Sequence, residues 1–463
     1  MENKGKKKKE IGRRRFLKTL GVGAVATTAA MHGCKQKNTV SAEGGTIGEV
    51  PTDKMTYRVN QHTGDKVSLL GYGCMRFPLR QKSDGSGEEI DQDAVNELVD
   101  YAIAHGVNFF DTAPVYIRGW SETATGIALK RHPRDKFFVS TKASNHRGPH
   151  DLQSCINMYH KSMRDLQVDY IDYYLLHGIG SSFESFEQRF INNGLLDYLK
   201  KERAAGRIRN LGWSFHGDVK VFDYVLAMDI QWDFVLIQLN YQDWQNADGV
   251  RNVNAEYLYG ELEKKNVPAL VMEPLLGGRL ARLNYLALNV LNEVRPGCSA
   301  ASWAFRYAGT PKNVLTVLSG MTYMEHLQEN IRTYSPLEPM TEEEYVEIEK
   351  VTDIILNSDY VQCTECQYCM PCPYGVDIPN VFAHYNRIVT ADRRLHSSND
   401  ENYKKARRAF LVGYDRTVPK LRQANHCISC GICNPLCPQK IDIPKEMRRV
   451  NTYAEQLKQK QEF

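Results

Sequence analysis

Eight cysteines toward the C-terminal end fall into two runs whose spacing suits iron–sulfur chemistry. Cys363, Cys366, Cys369 and Cys372-Pro373 form the first, and Cys427, Cys430, Cys433 and Cys437-Pro438 the second. The second run is C-x2-C-x2-C-x3-C-P, a ligand spacing of bacterial [4Fe–4S] proteins, and the first departs from it by one residue. Three thiolates two residues apart can take three corners of a cubane from one tight loop. The fourth cysteine leaves that loop and ligates the other cluster of a two-cluster domain. Structural zinc is the rival chemistry, since C-x2-C pairs also bind zinc. Zinc needs only four ligands per ion, and two triplets each with a Cys-Pro suit cubanes better. The expected cofactors are therefore two [4Fe–4S] clusters, held by these cysteines in a protein that moves single electrons.

A second reactive set lies earlier in the chain: Asp111, Tyr116, Lys142 and His177 stand at, or just beyond, the ends of short apolar runs. Each alone has a bland reading, as a helix cap, a packed ring, a solvated amine or a satisfied imidazole. Together, on successive strands, they describe a proton-transfer site. Lys142, paired with Asp111, would lower the pKa of Tyr116 by placing an ammonium beside the phenol. Tyr116 would then give a proton to a carbonyl oxygen as hydride arrives at carbon, with His177 orienting that oxygen.

These side chains need a scaffold that presents strand ends to one face. The chain has 463 residues, too many for one ordinary core. Its 42% hydrophobic and 25% charged composition is that of a soluble globular protein. Apolar runs at 67–71, 107–111, 137–142, 170–177, 208–214, 234–240, 269–273 and 314–319 alternate with amphipathic stretches such as 93–105, 121–131, 151–165 and 323–334. That alternation predicts a closed (β/α)8 barrel. A doubly wound open sheet competes less well, because no G-x-G-x-x-G opens the first helix. Pro336 and Pro339 break the pattern, and Thr341 before three glutamates reads as the N-cap of a helix running to about Ile355. Between Cys372 and Cys427 the composition is helical. The fold class expected is α/β: a TIM barrel at 56–335, a connecting helix at 336–360, and a small, mainly helical ferredoxin-type domain at 361–463. Cys74, Cys155 and Cys298 have no partners at metal spacing and read as buried thiols.

The N-terminal segment reads as an address. Lysines and arginines from Lys4 to Lys18 precede a short apolar run, too short to span a bilayer. Arg13-Arg14-Arg15-Phe16-Leu17-Lys18 resembles a twin-arginine export signal. A basic arm for nucleic acid or acidic lipid is the alternative. Export of folded, cofactor-loaded protein suits a chain rich in ligand cysteines, and the expected destination is the periplasm or the outer side of the membrane. Residues 1–34 are taken as the signal and 35–55 as a linker. Met31-His32-Gly33-Cys34 faintly resembles a lipobox, so Cys34 either carries a lipid anchor or leaves with the signal. Residues 1–33 hold nine basic and two acidic residues, a net charge of +7. The whole chain is +4 and the remainder −3, so no nucleic-acid partner is expected.

The chain resembles the aldo-keto reductases. Gly71-Tyr72-Gly73-Cys74-Met75, Asp111-Thr112-Ala113-Pro114-Val115-Tyr116, Ser121-Glu122, Ser140-Thr141-Lys142 and Leu175-Leu176-His177 match landmarks of that family in order. Gly212-Trp213-Ser214, Gln238-Leu239-Asn240-Tyr241, Glu273-Pro274-Leu275 and Glu329-Asn330 continue the match. The resemblance implies NAD(P)H bound across the strand ends, with Ser214 and Gln238 at the nicotinamide carboxamide and Glu329 and Asn330 near the adenine. Gly277-Gly278 reads as a turn near the cofactor phosphates. Phe215 replaces an asparagine common in the family, Met272 a tyrosine that stacks on nicotinamide, and Gly320 and His326 two cations of NADPH-preferring members. The cluster region resembles helical two-cluster ferredoxin domains of respiratory reductases.

Two functions compete. The first is an exported enzyme that interconverts a small carbonyl and an alcohol or sugar, with the clusters as a relay to an unknown redox partner. The second is a non-catalytic electron carrier with the barrel as a docking or ligand-binding scaffold. The complete Asp111, Tyr116, Lys142 and His177 set favours the enzyme.

Overall fold

The computed structural model describes residues 49–147, 150–247, 253–359, 361–390, 402–437, 439 and 441–459. The export signal, Cys34 and Pro438 lie outside the described residues. Eight parallel strands close into a barrel: β1 (Leu70–Gly73), β2 (Phe109–Asp111), β3 (Phe138–Ala143), β4 (Ile171–Ile179), β5 (Ile208–Phe215), β6 (Phe234–Gln238), β7 (Ala269–Met272) and β8 (Val314–Ser319). Closure comes from β8 against β1, where Val317 faces Leu70 and Ser319 faces Tyr72. Strands covered on both faces are read as continuous apolar runs, which is how they appear in the sequence. Phe109, Tyr173, Leu175, Phe234, Leu236, Leu270, Leu315 and Leu318 fill the interior, so the barrel is a packed core and its chemistry is confined to the rim.

Around the strands lie α1 (Gln92–Ala104), α2 (Ser121–Leu129), α3 (Leu152–Leu166), α4 (Leu195–Ala204), α5 (Val219–Leu226), α6 (Ala255–Lys264), α7 (Tyr285–Val294), α8 (Ala300–Gly309) and α9 (Met324–Thr333). Asp91 and Asp151 cap α1 and α3 by accepting from Ala94 N and Ser154 N. The expected first strand divides in two. Lys66–Ser68 pairs antiparallel with Tyr57–Val59, and the barrel strand begins only at Leu70. The break follows from Ser68, whose N–H is taken by Asn108 Oδ1 at 2.8 Å. Val67 then turns into the barrel interior.

The helix α10 (Glu342–Leu356) opens on a capping box between Thr341 and Glu344. Its Tyr345, Ile348, Val351 and Ile355 belong to the main core of the barrel. Beyond it, α11 (Ile378–Thr390), α12 (Tyr403–Thr417) and α13 (Ile443–Gln459) pack around Phe382, Tyr385, Phe410, Tyr414, Met447 and Tyr453. This small domain thus has an aromatic core of its own, against which Cys363, Cys369, Cys372, Cys427 and Cys433 are packed. Of the cysteines expected to be buried thiols, Cys74 and Cys155 are buried, whereas Cys298 is partly exposed.

Candidate active site and cluster sites

Asp111 ends β2, Lys142 lies near the end of β3 and His177 near the end of β4, so parallel pairing brings them to one rim. Tyr116 follows in a turn where Ile117 and Arg118 both take positive φ, 47° and 57°. Such backbone is costly for residues with a Cβ and is held in place by its surroundings. Lys142 Nζ donates to both oxygens of Asp111, at 2.7 and 2.6 Å, and to Thr112 O at 2.7 Å. Ser140 adds a fourth contact, donating to Asp111 at 2.8 Å. The ammonium lies 5.0 Å from the centre of the Tyr116 ring. His177 stands edge-on to the same ring, at 6.2 Å between centroids.

The electrostatics correct one expectation. Tyr116 is pushed well above the ordinary phenol range, first by burial, then by Asp111, Tyr368 and Glu273. Burial and Asp111 outweigh the nearby ammonium of Lys142, which Asp111 holds at hydrogen-bond distance. Tyr116 is thereby held as a proton-bearing phenol. His177 is pushed well below its ordinary value, first by burial and then by Lys142, so the imidazole is neutral. Its Nδ1 lies 2.5 Å from Ser144 Oγ. With the serine hydroxyl as donor, Nε2 carries the proton, and the ring can give a hydrogen bond.

Ser214 ends β5 and Gln238 ends β6, and both are buried. Gly212 lets these strands approach, since a Cβ there would lie 2.3 Å from Phe234 O. Ser214 Oγ accepts from Gly178 N at 2.8 Å and keeps its own O–H to give. Gln238 donates its amide nitrogen to Asp243, leaving Oε1 to accept. A donor and an acceptor on neighbouring strand ends match a primary carboxamide, so these two residues fit a nicotinamide. Asn330 is buried in α9 and donates to Ser319 Oγ at 3.0 Å, tying that helix to the end of β8. Glu329 is its neighbour in the same helix.

Three groups at this rim were given no role by sequence reasoning. Glu273, just past β7, has φ 55°. Its carboxyl is raised by burial, against the pull of Arg76 and the Gly277 backbone. Arg76 lies along Gly320, where a Cβ would come within 3.2 Å of its side chain. A cation from the first loop thus occupies the space beside the position at which a cation was missing. Tyr368, of the first cysteine loop, is among the groups that raise Tyr116, after burial and Asp111. No sequence signal marks such an influence between distant segments.

The same loop touches the barrel. Thr364 packs on Gly277, where a Cβ would meet the threonine Cβ at 2.3 Å. Glu365 pairs with Arg282 at 3.5 Å. The Gly277-Gly278 turn, with φ 67° and 98°, therefore serves as the seat of the cysteine loop.

The eight cysteines sort into two cavities. Cys363, Cys366 and Cys369 line one together with Cys437, and Cys427, Cys430 and Cys433 line the other together with Cys372. Each run thus lends its fourth cysteine to the other set. Apolar residues such as Ile378 and Ile443 complete both linings. Among the described residues, no three Cys, His, Asp or Glu side chains converge on one metal-ion position. Four thiols around a volume, not a point, fit a cubane better than zinc. Burial pushes Cys363 and Cys369 up to about 12, so the thiols must lose protons as metal binds.

Comparison with known proteins agrees with this geometry. Residues 69–353 match the aldo/keto reductase family, and residues 362–443 match a 4Fe-4S dicluster domain. L-galactose dehydrogenase of Arabidopsis thaliana is 28% identical over 66% of this chain and 96% of its own. An uncharacterized oxidoreductase of Bacillus subtilis, YqkF, is 25% identical over 60% of this chain and 90% of its own. The structure of an aldo-keto reductase from Bacillus halodurans in its holo form superposes with a TM-score of 0.51, at 23% identity, over 64% of this chain and 96% of that one. With a closed parallel barrel, a polar rim and two four-cysteine cavities in one molecule, this chain belongs to the aldo/keto reductase family and carries a 4Fe-4S dicluster domain in addition to the barrel.

Proposed function

We propose that this iron–sulfur oxidoreductase interconverts a small carbonyl and an alcohol at the barrel rim and exchanges the electrons through its C-terminal clusters. The observation that carries the reading is the seating of the first cysteine loop against the barrel. Thr364 meets Gly277 and Glu365 pairs with Arg282, so the cysteine loop sits against the rim loop that follows β7. Tyr116 holds the proton for the carbonyl oxygen, His177 orients that oxygen, and the Asp111–Lys142 pair fixes the floor beneath the ring. A bound nicotinamide supplies hydride, and bound [4Fe–4S] clusters supply single electrons. Ser214 and Gln238 are the residues that would hold the carboxamide, with Glu329 and Asn330 toward the adenine. Two clusters giving one electron each, with one proton, would make up the hydride equivalent that the nicotinamide carries, and Tyr116 would give the second proton, so one alcohol would use one electron from each of two clusters.

Mass spectrometry of the nucleotide released on denaturing anaerobically purified protein tests the nicotinamide assignment. Stoichiometric NAD(H) or NADP(H) is expected, and an empty barrel in protein with full iron content would refute a resident nicotinamide. A non-catalytic carrier is the weaker reading, because such a scaffold has no use for a buried Lys142–Asp111 pair beside Tyr116.

Export by the twin-arginine route to the periplasm, or to the outer side of the membrane through a lipid on Cys34, belongs to the same proposal. It rests on Arg13 and Arg14 in their R-R-x-F-L-K setting. Replacing both by lysine keeps the charge and should leave the protein in the cytoplasm on cell fractionation. Unchanged export would refute this route.

A further inference from the structure

The two cysteine sets face different ways. The first loop is turned to the barrel through Thr364 and Glu365. The second has an outward edge: Cys430 is exposed, and Ile428, Ile432 and Leu436 around it are 58%, 56% and 44% exposed. Tyr374, which lines the same cavity, and Leu421 are also exposed. Large apolar side chains gathered on one surface mark an interaction site. Between them Arg448 donates to Ser429 Oγ at 2.8 Å, and Arg422 donates to Gly375 O at 3.2 Å. Lys420 and Lys445 are exposed, the first two residues before Arg422 and the second about one helical turn before Arg448 in α13.

Acidic groups here are engaged locally. Asp442 accepts from Lys445 N and Asn434, Asp415 accepts from Gln423, and Asp377 faces Arg422 at 3.9 Å. Arg422 faces Asp377 and Lys420 faces Asp415 at 4.0 Å, so Lys445 and Arg448 stand against Asp442 and leave this patch slightly positive on a chain whose net charge beyond residue 33 is −3. Charge complementarity therefore selects an acidic partner, and an apolar centre with a charged rim is the anatomy of a protein interface.

We propose that the face around Cys430, Ile428, Ile432 and Leu436 docks a small acidic one-electron carrier protein. The proposal rests on the assignment of the eight cysteines to two clusters. In the step it implies, the reduced carrier loses one electron and the second cluster gains it, with no bond made and no proton moved.

The test uses the full chain, loaded with iron and handled without oxygen, and an acidic plant-type [2Fe–2S] ferredoxin as probe. Binding is measured by titration, and reduction is followed as bleaching of the broad cluster absorbance near roughly 400 nm. Association should weaken by roughly tenfold or more between low and moderate salt. The double variant Lys420→Glu, Lys445→Glu and the single variant Ile432→Glu should each slow reduction by the ferredoxin about tenfold or more. Iron content and reduction by dithionite should stay at parental values in the double variant, which alters no cysteine loop. Absence of binding at low salt, or equal ferredoxin rates in parent and double variant, would overturn the proposal. So would concentration-dependent self-association that Ile432→Glu abolishes, since the face would then join copies of this chain. Loss of iron or of dithionite-reducible absorbance in the parent would refute the cluster assignment instead.

Discussion

At the residue scale the site is a device for keeping one phenol protonated. Lys142 and Asp111 are both nearly fully buried, and their charges cancel at 2.6 Å. What reaches Tyr116 is desolvation and the residual field of Asp111, both of which favour the neutral phenol. Tyr116 therefore keeps its proton up to its ordinary value of 10.0 and beyond, and carbonyl reduction should show no loss below about pH 10 from its ionisation. Removing the hydroxyl should be severe. Tyr116→Phe is expected to lower turnover about 10²–10⁴-fold with iron content unchanged, and a variant as fast as its parent would remove Tyr116 from the proton-transfer role. Asp111, Tyr116, Lys142 and His177 were legible because strand ends of a barrel are counted off along the sequence. Glu273, Arg76 and Ser144 were not, because a left-handed backbone, a reach across loops and a hydroxyl beside an imidazole leave no periodic mark.

Elements show the same division. The eight strands announce themselves as apolar runs, and Thr341 with Glu344 announces α10. Leu79–Gln81 and Glu88–Ile90 pair as a hairpin that no apolar run marks, with positive φ at Gly85 and Gly87 between them. Charged residues on an exposed hairpin hide its alternation. The role of α10 was also hidden: Glu344 pairs with Arg306 of α8 at 2.9 and 2.8 Å, and both side chains are buried. Burial alone would raise the Glu344 carboxyl, but Arg306, the Thr341 backbone and Arg295 outweigh it and leave it lowered. A carboxyl lowered on folding stabilises the fold above the ordinary carboxylate value and loses that contribution as acid protonates it. Stability should accordingly fall in acid through this pair. Glu344→Ala, which strands Arg306 in the core, should cost about 3–5 kcal/mol in denaturant unfolding and flatten that part of the acid response. A loss below about 1 kcal/mol would mean that α10 is held by its apolar face alone.

For the whole molecule, the exchange of fourth cysteines makes the two cavities interdependent. Cys437 completes the set facing the barrel, and Cys372 the set facing outward. Cys437→Ser should disturb the barrel-side cluster and Cys372→Ser the outward one, giving different residual spectra. If both variants lost the same cluster, the pairing described here would be wrong. Cys-Pro spacing made this exchange legible, whereas the seating of Thr364 on Gly277 was not, since contacts between two domains leave no trace in the spacing of either. That seating is what joins the site to the clusters, and it can be tested in a single turnover. Protein with reduced clusters, freed of excess reductant without oxygen, is mixed with a panel of small aldehydes and ketones while absorbance near roughly 400 nm is followed. The account predicts that absorbance recovers with at least one carbonyl, forming about one alcohol per two clusters oxidised, and that Tyr116→Phe abolishes the recovery. Clusters that stay reduced with every carbonyl, or reoxidise as fast without the Tyr116 hydroxyl, would contradict it.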